Sequence, residues 1–176
     1  LLGADIATAQ LIADEARDNQ ICVIANDNSV GQVVLSGHKE AILRAVEIAP
    51  TKGIKKAVQL PVSAPFHSPL MESAAKAMQD ALAGVAMKKP EPILVANVIA
   101  SQVEDVATIK DLLVKQVVGS VKWRESVIYM ANQGVSQMVE LGAGKVLSGL
   151  VKRIDDKIAV SAINTPEDIE VFLKTC

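Results

Sequence analysis

The sequence predicts an α/β protein built as two lobes. Apolar residues alternate between helical and strand spacing along the whole chain, and the first sixty or so residues follow a different element order from the rest. Half of the 176 residues are hydrophobic but only 2% are aromatic, so the core must be Ala, Val, Ile and Leu, the material of sheets covered by helices. A chain of this length can bury a sizeable core, as one domain or two small lobes.

The first helix is predicted from an N-cap at Asp5, with Ile6, Ala9, Ala13 and Ala16 on one face. Two β-rich runs follow, Ile21 to Ala25 and Gln32 to Leu35, joined by the turn-forming "NDNSVG", so a hairpin is expected with Asn26 and Asn28 in left-handed turn positions. Ile42, Ala45, Val46 and Ala49 mark a second helix, with Ser36 as a candidate cap and His38 at its start or on the surface. Val58, Leu60 and Val62, alternating with Gln59 and Pro61, read as an edge strand. The order α-β-β-α-β becomes a ferredoxin-like unit if one strand precedes it, and Leu1-Leu2-Gly3 reads as the end of that strand, cut short. Residues 1–62 are therefore expected to form a small lobe.

Residues 63–176 change to alternating helix and strand. A helix carrying Met71, Ala74, Ala75, Met78 and Leu82 is followed by the link Lys88-Lys89-Pro90-Glu91-Pro92 and a strand from Ile93 to Val98. Helices are expected over Ile109 to Val117 and Trp123 to Ala131, then strand Met138 to Leu141, helix Val146 to Ile154 and strand Ile158 to Ile163. A last helix is capped by Thr165 with Pro166 at its first position. This alternation predicts part of a mostly parallel, helix-covered sheet.

Charge and composition narrow the function. Eighteen basic residues stand against 20 acidic ones, a net of −2, so no global field draws the chain to nucleic acid or anionic lipid. The apolar run from Ile93 to Ala100 is broken by Asn97 and too short to span a bilayer. Cys22 and Cys176 lie far apart and suggest neither a disulfide framework nor a metal site, so no metal or redox cofactor is expected and a reducing cytoplasm fits. No basic leader or initiating Met precedes Leu1, and the chain is expected to begin inside a longer structure.

Chemistry concentrates at "PVSAPFHSPLM", where His67 stands between two prolines at a strand-to-helix transition. Ser68 suits an N-cap and Pro69 the first helical position, which puts His67 at the helix entrance. The positive end of a helix dipole disfavours imidazolium there, and a neutral imidazole can act as a base. The plainer alternative is a histidine that fills a loop and bonds the backbone.

"LPVSAPFHSPLM" resembles the histidine motif of bacterial malonyl-CoA:acyl carrier protein transacylases. Three further segments are similar to that family in the same order: "NDNSVGQVVLSGHKEAI", "KQVVGSVKWRESVIYMANQGV" and "ELGAGKVLSGLVKRI". Together they run over essentially the whole chain. The resemblance implies the ferredoxin-like small lobe and, for the rest, the C-terminal part of an α/β-hydrolase-like lobe. It implies that a serine attacks the malonyl thioester, that His67 takes its proton, and that the main-chain carbonyl of Gln116 orients the imidazole. Phe66 beside the base matches the malonyl-selective form, and Asn28 is implied to face the substrate cleft. Without the resemblance, Gln116 is a polar residue at a helix end, Phe66 a core anchor and Asn28 a turn residue.

The family's nucleophile sits in a G-x-S-x-G elbow, and that pattern does not occur in these 176 residues. Its carboxylate-pairing arginine and oxyanion-hole glutamine have no counterpart either. The expectation is the C-terminal part of a transacylase, inactive alone, whose partners are malonyl-CoA, acyl carrier protein and the missing N-terminal portion. Coenzyme A thioester is substrate rather than cofactor. "GAGK", Gly142 to Lys145, fails a phosphate-loop pattern, with Val139 and Val146 where Gly and Ser or Thr are needed. Lys55-Lys56 and Lys152-Arg153 are solvated charge or a rim that steers an acidic carrier protein. Two rival readings stand: a noncatalytic ferredoxin-like module that binds a ligand or partner, and a relative that transfers other acyl groups.

Overall fold

Asp5 opens the first helix: its carboxylate accepts the Thr8 amide at 2.7 Å, pairing one of the amides that every helix start leaves free. Helix α1 (Ile6–Arg17) then buries Ala9, Ile12, Ala13 and Ala16. Ile6, expected on the inner face, remains 38% exposed, whereas Ile12 is fully buried. Strands β1 (Cys22–Ser29) and β2 (Gln32–Gly37) pair antiparallel, and helix α2 (Lys39–Ile48) buries Ala41 and Ala45. Small alanines let both helices approach the sheet closely, around a core that also holds Cys22, Val33, Ala49 and Ile54.

The hairpin is longer than its sequence suggests. Asn26 and Asn28 lie within β1, neither has a positive φ, and the turn is Val30-Gly31 alone. Gly31 at φ 74° supplies the left-handed conformation that so short a loop demands. Ser36 lies in β2 and does not cap α2; His38 is the N-cap residue, and its Nδ1 accepts the Ile21 amide at 2.9 Å. The strand expected over Val58, Leu60 and Val62 is absent. Those side chains are 53, 50 and 61% exposed, and Lys56 forms a single bridge to Leu2 instead. Leu2 also bridges Gln32, and Val121 runs parallel to Asn26, so the backbone order across this sheet is Lys56, Leu2, β2, β1, Val121.

The structure is a computed structural model that describes residues 1–174; Cys176 lies outside the described residues. The chain divides into two compact units, Leu1–Ser126 and Val127 onward. After the small sheet, the first unit holds a 3-10 turn (Pro69–Met71), α3 (Glu72–Ala83), strands β3 (Leu94–Ala96) and β4 (Ser101–Val103), and α4 (Val106–Val118). Helix α4 is capped by Asp105 and packs Ile109 and Leu112 with Val103, Met87, Ala96 and Val98. Helix α5 (Trp123–Asn132) contains the division. Beyond it, β5 (Gln137–Leu141) and β6 (Ala159–Ile163) pair in parallel through α6 (Val146–Ile154), and α7 (Pro166–Leu173) follows. Thr165 and Asp168 form a reciprocal capping box at the start of α7.

The chain is thus mixed α/β, but the mostly parallel sheet expected over residues 63–176 is present among the described residues only as the β5–β6 pair. The strand read from Ile93 to Val98 is instead the first arm of an antiparallel hairpin whose second arm is β4. Its turn carries no glycine; Ala100 takes φ 51° in its place, and the usual sequence signal is missing. Among the described residues no helix is long and apolar enough to cross a membrane.

Candidate active site

Two prolines set the backbone around His67. Ser68 precedes Pro69 and is forced into extended geometry, φ −137° and ψ 161°. Its hydroxyl does not cap the following helix as expected. It donates back to the Pro65 carbonyl at 2.6 Å, and the side chain is fully buried. Between these anchors His67 adopts φ 57°, a left-handed conformation that costs a residue bearing a Cβ about 1–2 kcal/mol. Ser68 and Pro69 take the N-cap and first position of a 3-10 turn that leads directly into α3 at Glu72, so His67 precedes the helical segment as the sequence predicts.

What holds the imidazole is a carbonyl. His67 Nδ1 lies 3.0 Å from the main-chain oxygen of Gln116. A carbonyl only accepts, so Nδ1 carries the hydrogen, and in the neutral ring the lone pair is left on Nε2. Gln116 has this oxygen to offer because it lies in the last turn of α4, where carbonyls have no partner within the helix.

The turn after α4 fixes where that oxygen points. The Gln116 side-chain amide donates to the Gly119 carbonyl at 3.0 Å and, more weakly, to that of Ser120 at 3.5 Å. A Cβ on Gly119 would stand 2.8 Å from the Lys115 oxygen and 2.9 Å from Val98 Cγ2, so the path is open only to glycine. The chain then joins the free edge of β1: Val121 N–H donates to the Ala25 carbonyl at 2.8 Å, and Asp27 N–H to the Val121 carbonyl at 2.9 Å. Ser120 Oγ also donates to Ala25, at 3.3 Å.

A charged clasp closes this junction. Arg124 Nε reaches the two Asp27 carboxylate oxygens at 3.0 and 2.9 Å, and the guanidinium also meets Oδ2 at 2.7 Å. The Asp27 side chain is 4% exposed and that of Arg124 27%, so the bond forms largely out of water. Hydrogen bonding to Asp27 holds the guanidinium above its already high range. Neither residue stands out in the sequence, where Asp27 reads as part of a turn. The one available signal is a lone carboxylate in a strand, which requires a partner once buried.

His67 and Gln116 are in direct contact. Asn28 is a half-buried residue at an irregularity of the β1–β2 ladder, between the pairs Asp27–Val33 and Ser29–Gln32, and bulges of this kind re-aim side chains beside active sites. Phe66 is 48% exposed, which removes its reading as a core anchor. Neither Asn28 nor Phe66 hydrogen-bonds His67. Two groups are poorly placed to act as nucleophiles: Ser68 is committed to Pro65, and burial pushes the Cys22 thiol up to about 11. Among the described residues no three His, Cys, Asp or Glu side chains gather as a metal site requires.

"GAGK" leads into α6, and the amides a phosphate would need there are already taken. Glu140 accepts from the Leu147 amide at 3.1 Å, the Ser148 amide at 2.8 Å and the Ser148 hydroxyl at 2.7 Å. These bonds, the hydroxyl's foremost, hold its carboxyl below the usual range. Lys152 spends its ammonium on the carbonyls of Asp156 and Ile158, at 3.2 and 2.6 Å, which limits its use in steering a partner.

No family model matches the chain. A malonyl CoA-acyl carrier protein transacylase of Salmonella typhimurium is 40% identical over 173 residues, 98% of this chain and 56% of the relative. The crystal structure of an acyl-carrier-protein-S-malonyltransferase from Bartonella henselae superposes with a TM-score of 0.95 at 44% identity, over 99% of this chain and 56% of that one. A malonyl-transacylase solved in complex with its type II PKS acyl-carrier protein gives 0.96 at 35% identity, over 100% and 57%. The chain spans a little over half the length of the relatives it matches.

Proposed function

Because the chain is homologous to the C-terminal part of the malonyl-CoA:acyl carrier protein transacylases, we propose that it supplies the general base of a malonyl transfer from coenzyme A to a carrier-protein thiol. The observation that carries this reading is the 3.0 Å bond from His67 Nδ1 to the Gln116 carbonyl, which leaves Nε2 free to take a proton. A serine supplied by the remainder of the enzyme attacks the thioester carbonyl as Nε2 takes its hydroxyl proton. The tetrahedral intermediate collapses to acyl-serine, and the imidazolium protonates the departing coenzyme A thiolate. In the second half Nε2 takes the proton of the phosphopantetheine thiol, the thiolate attacks acyl-serine, and the proton returns to serine. Gln116 orients the ring as a triad carboxylate would, without adding a charge. Asn28 and Phe66 are assigned to the substrate side of the cleft.

Residues 1–62 are read as a ferredoxin-like lobe. In support, the backbone order Lys56, Leu2, β2, β1 is that of a four-stranded sheet in which the first strand lies between the fourth and the third. Residues 63–176 are read as part of the larger acyltransferase lobe, and the 176-residue chain is expected to be inactive alone.

The test is malonyl transfer to a phosphopantetheinylated carrier protein by the full-length enzyme containing this chain. His67→Ala is expected to lower the rate by about 10²–10⁴-fold. Transfer undiminished by the substitution removes His67 from the chemistry.

A further inference from the structure

We infer that the Asp27–Arg124 ion pair is a positioning device for His67, which fixes through the main chain the carbonyl that orients the imidazole. The inference rests on the reading of His67 as the base. Because the acceptor of His67 is a backbone oxygen, its location is set by the path of the chain on either side rather than by a rotamer. On one side stands α4. On the other, residues 119–124 are laid along β1 by three hydrogen bonds, from Val121, Asp27 and Ser120, and then locked by Arg124 on Asp27 at 2.7–3.0 Å. The Gln116 side chain is tied to the carbonyls of Gly119 and Ser120, so a shift of that segment pulls on the residue whose oxygen holds the ring.

The pair joins residues 97 positions apart and is the charged contact between β1 and this segment. A bidentate guanidinium–carboxylate bond fixes direction as well as distance, and direction is what an orienting carbonyl needs. Displacement of a catalytic group by about 1 Å can cost 10²-fold in rate.

Removing one partner would strand a buried charge and risk unfolding, so the decisive variant removes both, Asp27→Leu with Arg124→Met. In the full-length enzyme this pair of substitutions is expected to leave the unfolding midpoint and the KM for malonyl-CoA close to those of the parent. The value of kcat should fall about 10- to 100-fold, with a displaced pH–rate profile. The imidazole ¹⁵N spectrum of His67, assigned by its loss in His67→Asn, should change from a single Nδ1–H tautomer to a mixture. Arg124→Lys, which keeps the charge but not the fork, should lie between.

A folded paired variant with unchanged kcat, pH profile and tautomer overturns the inference, since a purely structural role would move the unfolding midpoint alone. If the paired variant does not fold, Arg124→Lys decides: parental kcat and tautomer there overturn it equally. Should His67→Ala leave transfer intact, the assignment of the base fails by itself, and the tautomer still reports whether the clasp positions the ring.

Discussion

His67 occupies a conformation that its own Cβ opposes, and it is held there by bonds its neighbours make: Ser68 to Pro65 behind it and the Gln116 carbonyl in front. The strain can be measured apart from the side-chain bond by comparing two variants that both lack the ring. His67→Ala keeps the Cβ at φ 57°, whereas His67→Gly relieves about 1–2 kcal/mol of crowding and adds about 0.4–1 kcal/mol of unfolded-chain entropy. His67→Gly is therefore expected to be the more stable by roughly 0.5–1 kcal/mol in denaturant unfolding; a less stable glycine variant would mean that the backbone there is not strained. At this scale the sequence shows His67, because the flanking prolines and serine are visible in one line of text. The role of Gln116 comes only from resemblance, since every residue has a carbonyl. That Arg124 is the partner of Asp27 cannot be read without the fold that brings together two residues 97 positions apart.

Helix ends follow the same division between near and distant causes. Asp5 on α1 and Thr165 with Pro166 on α7 act within four residues, and both stand where the sequence places them. Val146 to Ile154 is likewise read to its last residue. The missed elements depend on something farther away or on an unusual backbone: β4 behind a turn made by Ala100, and residues 58–62, whose alternation finds no apolar face to cover. Glu140 is intermediate, a strand residue that caps the next helix, and its effect can be read by pH. Its folded pKa lies below the ordinary 4.5, so the stability it contributes is present above about pH 4.5 and is lost as pH falls through the lower folded value. Glu140→Gln is expected to unfold at lower denaturant than the parent at pH 7, with the gap closing as pH falls below 4.5. A gap constant from neutral pH into that acid range would show that the carboxylate charge contributes nothing at the helix start.

Across the whole molecule, burial is distributed unevenly, and stability should follow it. In the first unit, α1, α2, β1 and β2 enclose a continuous cluster that includes Ala9, Ile12, Ala13, Ala16, Val33 and Ala45, each at most 2% exposed. The hairpin there is extended by bridges at Leu2, Lys56 and Val121, so its strands do not stand as an isolated pair. Among the described residues of the second unit the buried apolar ones are Val127, Leu150, Val151 and Ile158, while Leu141, Val146 and Val171 are 76, 69 and 62% exposed. A two-stranded parallel pair is an uncommon arrangement, because parallel sheets are normally covered on both faces. Local opening draws on buried contact, so regions with little of it exchange their amides at lower free energy. Hydrogen exchange on the 176-residue chain should therefore find the amides paired between β1 and β2 protected at least about tenfold more than those paired between β5 and β6, a difference of about 1.4 kcal/mol in opening free energy. Equal protection in the two pairs would refute this ordering and show that the exposed apolar side chains of the second unit are not a measure of its stability.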